Sequence, residues 1–123
     1  MNTVKIDSRL KRFKGTTGYH KHLYPGKSPI QLTDGCKYVR DTLDSNWLFD
    51  TIVKYQADPR FKGVNFQVWE ILMHPKDHSW SLTCKNGIDG NPIISIAIDT
   101  PDFKFDYLKI WLIGTVALLP TEY

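Results

Sequence analysis

The residue pattern points to one α+β domain over residues 1–123: an antiparallel four- to five-stranded meander sheet with two N-terminal helices packed on one face. Three observations carry this. The clearest helical spacing of apolar residues lies at 33–57. After Gly63 the period falls to two and stays there through 64–119. The turns between those later segments are short, and short turns join antiparallel neighbours. Residues 1–32 form a basic N-terminal segment ahead of these elements. A chain of 123 residues, 41% hydrophobic and 24% charged, suits a single core.

Each element follows from its own residues. In Thr33–Leu43, Thr33 is an N-cap and Asp34 sits near the positive helix end. Cys36, Val39 and Leu43 fall on one buried stripe. Asp44 and Ser45 interrupt that helix and cap a second, Asn46–Gln56, in which Leu48, Ile52 and Tyr55 share a face that Trp47 and Phe49 broaden. Pro59 stops helical continuation.

In Val64–Met73, Val64, Phe66 and Val68 alternate with Asn65 and Gln67, and the parity then switches from Trp69 onward. Either both faces are covered there or a bulge reverses the register, and apolar residues of both parities suit a central strand. His74–His78 is a turn. His78–Lys85 alternates cleanly, with Trp80, Leu82 and Cys84 inward and Ser81, Thr83 and Lys85 outward. Asn86-Gly87 and Asp89-Gly90 are turn dipeptides before the strand Pro92–Asp99. Lys104–Ile113 and Thr115–Pro120 flank Gly114-Thr115, the glycine-first pair that a type II′ hairpin prefers.

Composition excludes several functions. Cys36 and Cys84 read as two reduced core thiols rather than a bridge, which suits a cytoplasmic protein. No stretch combines a basic start with an apolar run, and none approaches the ~20 apolar residues of a membrane helix, so neither export nor membrane insertion is expected. The histidines are not spaced as zinc ligands: His20 and His22 are two apart, and His74 and His78 flank a proline-containing turn. Surface histidines are the simpler reading. There is no Gly-x-Ser-x-Gly nucleophile elbow and no phosphate loop. Glu70 is the acid that interrupts an apolar strand, and a charged neighbour explains it better than catalysis. The expectation is a protein with no enzymatic activity, no catalytic residue, no metal and no cofactor.

The charge is uneven. Residues 1–40 hold nine Lys or Arg against Asp7 and Asp34, a balance of +7, and residues 41–123 hold seven against eleven acids, a balance of −4. Most of the excess lies between Arg9 and Lys27, where Arg9, Lys11, Arg12, Lys14 and Lys21 alternate with Phe13, Tyr19, His20, His22 and Tyr24, and no carboxylate intervenes. Cations beside aromatics suit phosphates and bases. They equally suit a mixed polar contact with a protein, or a solvated helix over Ser8–Phe13 that buries Leu10 and Phe13. A third possibility is that the segment meets the chain's own acids, among them Glu122 and the C-terminus. These ten residues are the candidate partner-binding set.

Four stretches in order carry a resemblance: FKGTTGYHKH at 13–22, TDGCKYVRDTLDSNWLFDTIVKYQ at 33–56, FQVWEI at 66–71 and LLPTEY at 118–123. The chain resembles a small uncharacterised family found in bacteria and their mobile elements. That family has a Phe-x-Gly-Thr opening, Thr-Asp-Gly and Trp-Leu-x-Asp helices, a Phe-Gln-x-Trp strand and a Leu-Pro-x-Glu-Tyr end. The resemblance implies an accessory protein of phage or plasmid, including an inhibitor of host defence of the anti-CRISPR kind. It assigns no residue a role. The expected function is therefore a cytoplasmic, non-enzymatic protein that binds and modulates a macromolecular partner, a protein rather than nucleic acid. A nucleic-acid-binding accessory protein is the first alternative. A small-molecule sequestering protein with a pocket lined by Trp47, Trp69 and Trp80 is the second.

Overall fold

The computed structural model describes residues 10, 12–98 and 107–123. In chain order its strands and α-helices are β1 (His20–His22), β2 (Ile30–Leu32), α1 (Asp34–Asp41), α2 (Asn46–Tyr55), β3 (Phe66–Met73), β4 (Trp80–Asn86), β5 (Pro92–Ile98), β6 (Tyr107–Ile113) and β7 (Val116–Leu118). All seven strands join one sheet in the order β1-β2-β7-β6-β3-β4-β5. β2 and β7 run parallel and every other pair is antiparallel.

This corrects the expected α+β fold. The four- to five-stranded antiparallel meander is replaced by a seven-stranded mixed sheet in a mostly-β fold with two α-helices among the described residues. Two physical reasons account for the difference. β1 and β2 lie inside the basic segment and have three residues each, too few to show a period of two. The parallel partner of β2, β7, is 84 positions or more away in sequence, beyond the reach of any local pattern, and β1 joins the sheet through β2. The later strands also depart from a meander. β3, β4 and β5 follow one another as hairpins, but β6 returns beside β3, giving the spatial order of a Greek key.

The helices form where their capping and spacing place them. Thr33 caps α1 by accepting from the Cys36 N–H (3.4 Å), and Cys36, Val39 and Leu43 are buried. Ser45 precedes α2 without capping it. Its hydroxyl donates to the Leu43 carbonyl instead (3.1 Å). Leu48, Phe49, Ile52 and Val53 of α2 share one core with Trp69, Ile71, Leu82, Cys84, Leu108, Ile110 and Leu112 from one sheet face. Trp69 stacks on Phe61 with ring centres 5.7 Å apart and planes 8° from parallel.

β3 settles its ambiguous parity. Its pairing with β6 and β4 runs unbroken from Gln67 to Leu72, so no bulge reverses it. The helix-facing residues are Gln67, Trp69 and Ile71. Gln67 is tolerated inside because its amide is satisfied: it exchanges two hydrogen bonds with Gln56 (2.8 and 2.9 Å) and accepts from Trp69 Nε1 (3.0 Å). Val68 on the opposite face is also buried, so both faces of this strand are covered. The register shift of the sheet lies instead between Cys84 and Lys85. β4 keeps its alternation, with Leu82 and Cys84 buried.

Ile113 pairs with Val116 across Gly114-Thr115, and Gly114 has φ 61°. An added Cβ would meet nothing within 4 Å, so conformation and not space demands glycine. Gly114→Val should therefore lower stability by about 1–3 kcal/mol, measured by urea denaturation, through the cost of a β-branched residue at positive φ. An unchanged midpoint would mean that the turn tolerates another geometry.

Candidate functional site

The basic segment enters the fold against α1 rather than standing free of it. Arg9 and Lys11 lie outside the described residues. Arg12 is exposed, with its guanidinium 4.9 Å from the centre of the Phe13 ring and 4.7 Å from that of Tyr38. Phe13 is half-buried against Tyr38, at 5.4 Å between ring centres. Lys14 and Lys21 are exposed, Tyr19 is 59% exposed, and Tyr24 packs partly buried on the core.

Strand geometry separates the histidines from Lys21. His20 and His22 share the helix-facing side of β1, and Lys21 points to the other side. His20 Nε2 lies 3.0 Å from Asp34 Oδ1 of α1, and His22 Nε2 lies 2.7 Å from Asp50 Oδ1 of α2. His22 is 2% exposed, and the Arg40 guanidinium of α1 crosses nearby to donate to the Lys21 carbonyl (3.2 Å). The two histidines thus pin the first strand to each helix, which is structural work. His22 is buried, while His20 keeps about a third of its side chain exposed.

Arg12, Phe13 and His20 come together around one open depression of about 340 Å³ that Asp34, Lys37, Tyr38, Asp41 and Thr42 complete. Lys14, Tyr19, Lys21 and Tyr24 do not line it. The α1 contributors were not singled out from the sequence. Their signal was the spacing Asp34, Lys37, Tyr38, Asp41, a polar stripe opposite Cys36 and Val39. The lining carries both signs of charge. Asp41 is held below its ordinary pKa, chiefly by the Arg40 hydrogen bond. Asp34 is held well below its ordinary value by the Thr17 N–H first, then by His20 and the Thr17 hydroxyl. Both stay ionised at neutral pH.

The start of α1 is a meeting point of three chain regions. The Asp34 N–H donates to the Thr16 hydroxyl (2.9 Å), the Gly35 N–H to Glu122 Oε2 (3.0 Å), and the Cys36 N–H to the Thr33 hydroxyl. The Thr33 hydroxyl donates in turn to Glu122 Oε1 (2.6 Å), which also accepts from the Leu119 N–H (2.8 Å). Gly35 lets this contact close up: a Cβ would lie 2.6 Å from Leu119 Cδ1 and 2.7 Å from Glu122 Oε1, so a larger residue would have to push those side-chain ends aside. Glu122 is therefore occupied by helix α1. Among the described residues of the basic segment, the histidines meet Asp34 and Asp50.

The other candidate chemistry resolves into packing and pairing. Glu70 accepts from Lys85 Nζ (2.9 Å) and from the Tyr107 hydroxyl (2.8 Å). Burial disfavours its charge, but these two bonds outweigh burial and keep its pKa low. Burial pushes the Cys84 thiol up to about 12 and raises Cys36 well above its ordinary value, and both cysteines are free. Trp69 is enclosed by Phe61 and Tyr55, so its faces are taken by the protein's own rings. His74 contacts Ser81 (3.0 Å), and among the described residues no three His, Cys, Asp or Glu side chains converge as metal ligands. Among those residues, too, no helix is long and apolar enough to cross a membrane.

Two outcomes are expected. Glu122→Ala should cost about 1–3 kcal/mol in urea unfolding, because the buried Gly35 N–H and Thr33 hydroxyl lose their acceptor; a variant as stable as the parent would show that water replaces the carboxylate. Asp34→Asn should flatten the acid limb of stability. The folded pKa of Asp34 lies below the unfolded one, so its contribution is complete above the ordinary value of 3.8 and is lost as the pH falls below it. Unfolding midpoints of parent and variant should hence differ most near neutrality and converge toward about pH 2.

No curated protein and no solved structure matches the chain. Residues 4–123 match DUF6876, a family of unknown function, and the chain belongs to that family.

Proposed function

We propose that the protein is a non-enzymatic binding protein that docks a protein partner through the exposed part of its N-terminal segment and the polar stripe of α1. The observation that carries this reading is the mixed charge of the depression, whose lining combines Arg12 and Lys37 with Asp34 and Asp41 and with the Phe13 and Tyr38 rings. Two ionised carboxylates repel a phosphate backbone. They suit the alternating charges and apolar anchors of a polypeptide surface. Exposed Tyr19 and Leu23, at 59% and 71%, add apolar area on the same segment. The mobile-element setting implied by the sequence resemblance would make that partner a protein of the host cytoplasm, whose activity the bound protein blocks or modulates.

Affinity capture with the full chain, paired with a nucleic-acid mobility shift, tests this. A specific protein should be retained by the parent and released by Tyr19→Ala or Arg12→Glu, with retention only weakly dependent on salt. Single- and double-stranded nucleic acid should remain unshifted at about 0.15 M salt. A tight shift at that salt, abolished by Lys14→Glu with Lys21→Glu, would overturn the reading in favour of nucleic-acid binding.

A further inference from the structure

The two edges of the sheet are built differently. β1 is a three-residue edge with exposed Lys21, and a Tyr-Pro-Gly stretch follows it closely. Short length and an exposed lysine are the usual guards against another strand adding to an edge. β5, at the opposite end, has seven residues, Pro-Ile-Ile-Ser-Ile-Ala-Ile, and no charge. Among the described residues no strand pairs with its outer side. Pro92 and the register shift between Cys84 and Lys85 guard only its beginning. From Ile94 to Ile98 the strand pairs regularly with β4. Ile94 is buried, Ile96 and Ile98 are half-buried against the core, and Ser95 and Ala97 are exposed.

We propose that β5 is a self-association edge, where a second copy of this chain adds its own β5 antiparallel about a two-fold axis at Ser95. An unpaired strand edge is a ready template for another strand, because its N–H and C=O groups are spaced as a ladder. What sits there must also match an uncharged, isoleucine-rich strand, and β5 itself does so. A two-fold at Ser95 sets Ile94 of one copy against Ile96 of the other, twice, on the helix-facing side. On the other side it sets Ser95 against Ser95. No charge meets a like charge within the paired strands, although the whole chain carries +3. The result is one continuous sheet across two copies, each leaving its β1 edge and α1 depression at the far end, clear of the pairing strands.

Sedimentation velocity of the full chain over a wide concentration range reads the association directly. The parent should pass from monomer to dimer as concentration rises. Ser95→Lys sets two lysines opposite each other at the axis and should remain monomeric, and Ser95→Glu should do the same. An equimolar mixture of Ser95→Lys and Ser95→Glu should recover the dimer, because only a two-fold at this residue brings the opposite charges face to face. Ser95 is exposed, and matching circular dichroism and melting curves would establish that both variants stay folded. The proposal is overturned by a parent that stays monomeric at every concentration, by a dimer that Ser95→Lys leaves intact, or by a mixture that fails to recover association. Pairing of β5 with a different protein while the chain stays monomeric would overturn it as well.

Discussion

The first turn of α1 is the joint on which the rest of the structure hangs. A helix begins with N–H groups that have no partner inside the helix, and a buried start must find acceptors elsewhere. Here Asp34, Gly35 and Cys36 find theirs in Thr16, Glu122 and Thr33, three side chains from separate parts of the chain. Only the Lys37 N–H makes the first regular helical bond, to the Thr33 carbonyl (2.8 Å). One capping requirement thus holds the N-terminal segment, the helix and the C-terminal turn in a single arrangement.

That arrangement also explains the parallel strand pair. Leu32 leads directly into Thr33, whose N–H donates to the Ala117 carbonyl (3.1 Å), while Leu119 follows closely after β7 and donates to Glu122. β2 and β7 travel side by side and lead to the helix start. β2 and β7 are short because they need only carry the chain to that point, and Gln31 and Leu32 align with Val116 and Ala117 on the way. The sheet is extended on one side by this docking and on the other by the hairpins of β3, β4 and β5. The two ends accordingly differ in length, charge and guarding.

The basic segment is partly taken up by its own fold. Two histidines meet two helix aspartates, and the Thr16 and Thr17 side chains close around Asp34. A run of cations and aromatics that looks continuous in sequence is divided by strand alternation into a structural side, with His20 and His22, and an open side, with Lys21. Arg12 is taken up by two rings and becomes one wall of a depression of mixed charge. Counting cations overstates what the segment offers to a polyanion, because the carboxylates beside them come from α1.

Read alone, the sequence determined the features that depend on near neighbours. The Thr33 cap, the buried stripe of Cys36, Val39 and Leu43, the alternation of β4 and the glycine-first turn at Gly114 all rest on residues a few positions apart, where side-chain period and turn chemistry act directly. Tertiary structure alone decided the features that need distant partners. The short strands β1 and β2 have too few residues to show a period; β2 joins the sheet through the parallel edge of β7, and β1 pairs in turn with β2. Gln67 reads as an outward polar residue until Gln56 and Trp69 arrive to satisfy it inside. Glu122 reads as a solvated acid until the Gly35 N–H and Thr33 hydroxyl come within reach. In each case the deciding term is the cost of leaving a buried polar group unpaired, and the partner that removes that cost lies too far along the chain for any local pattern to announce it.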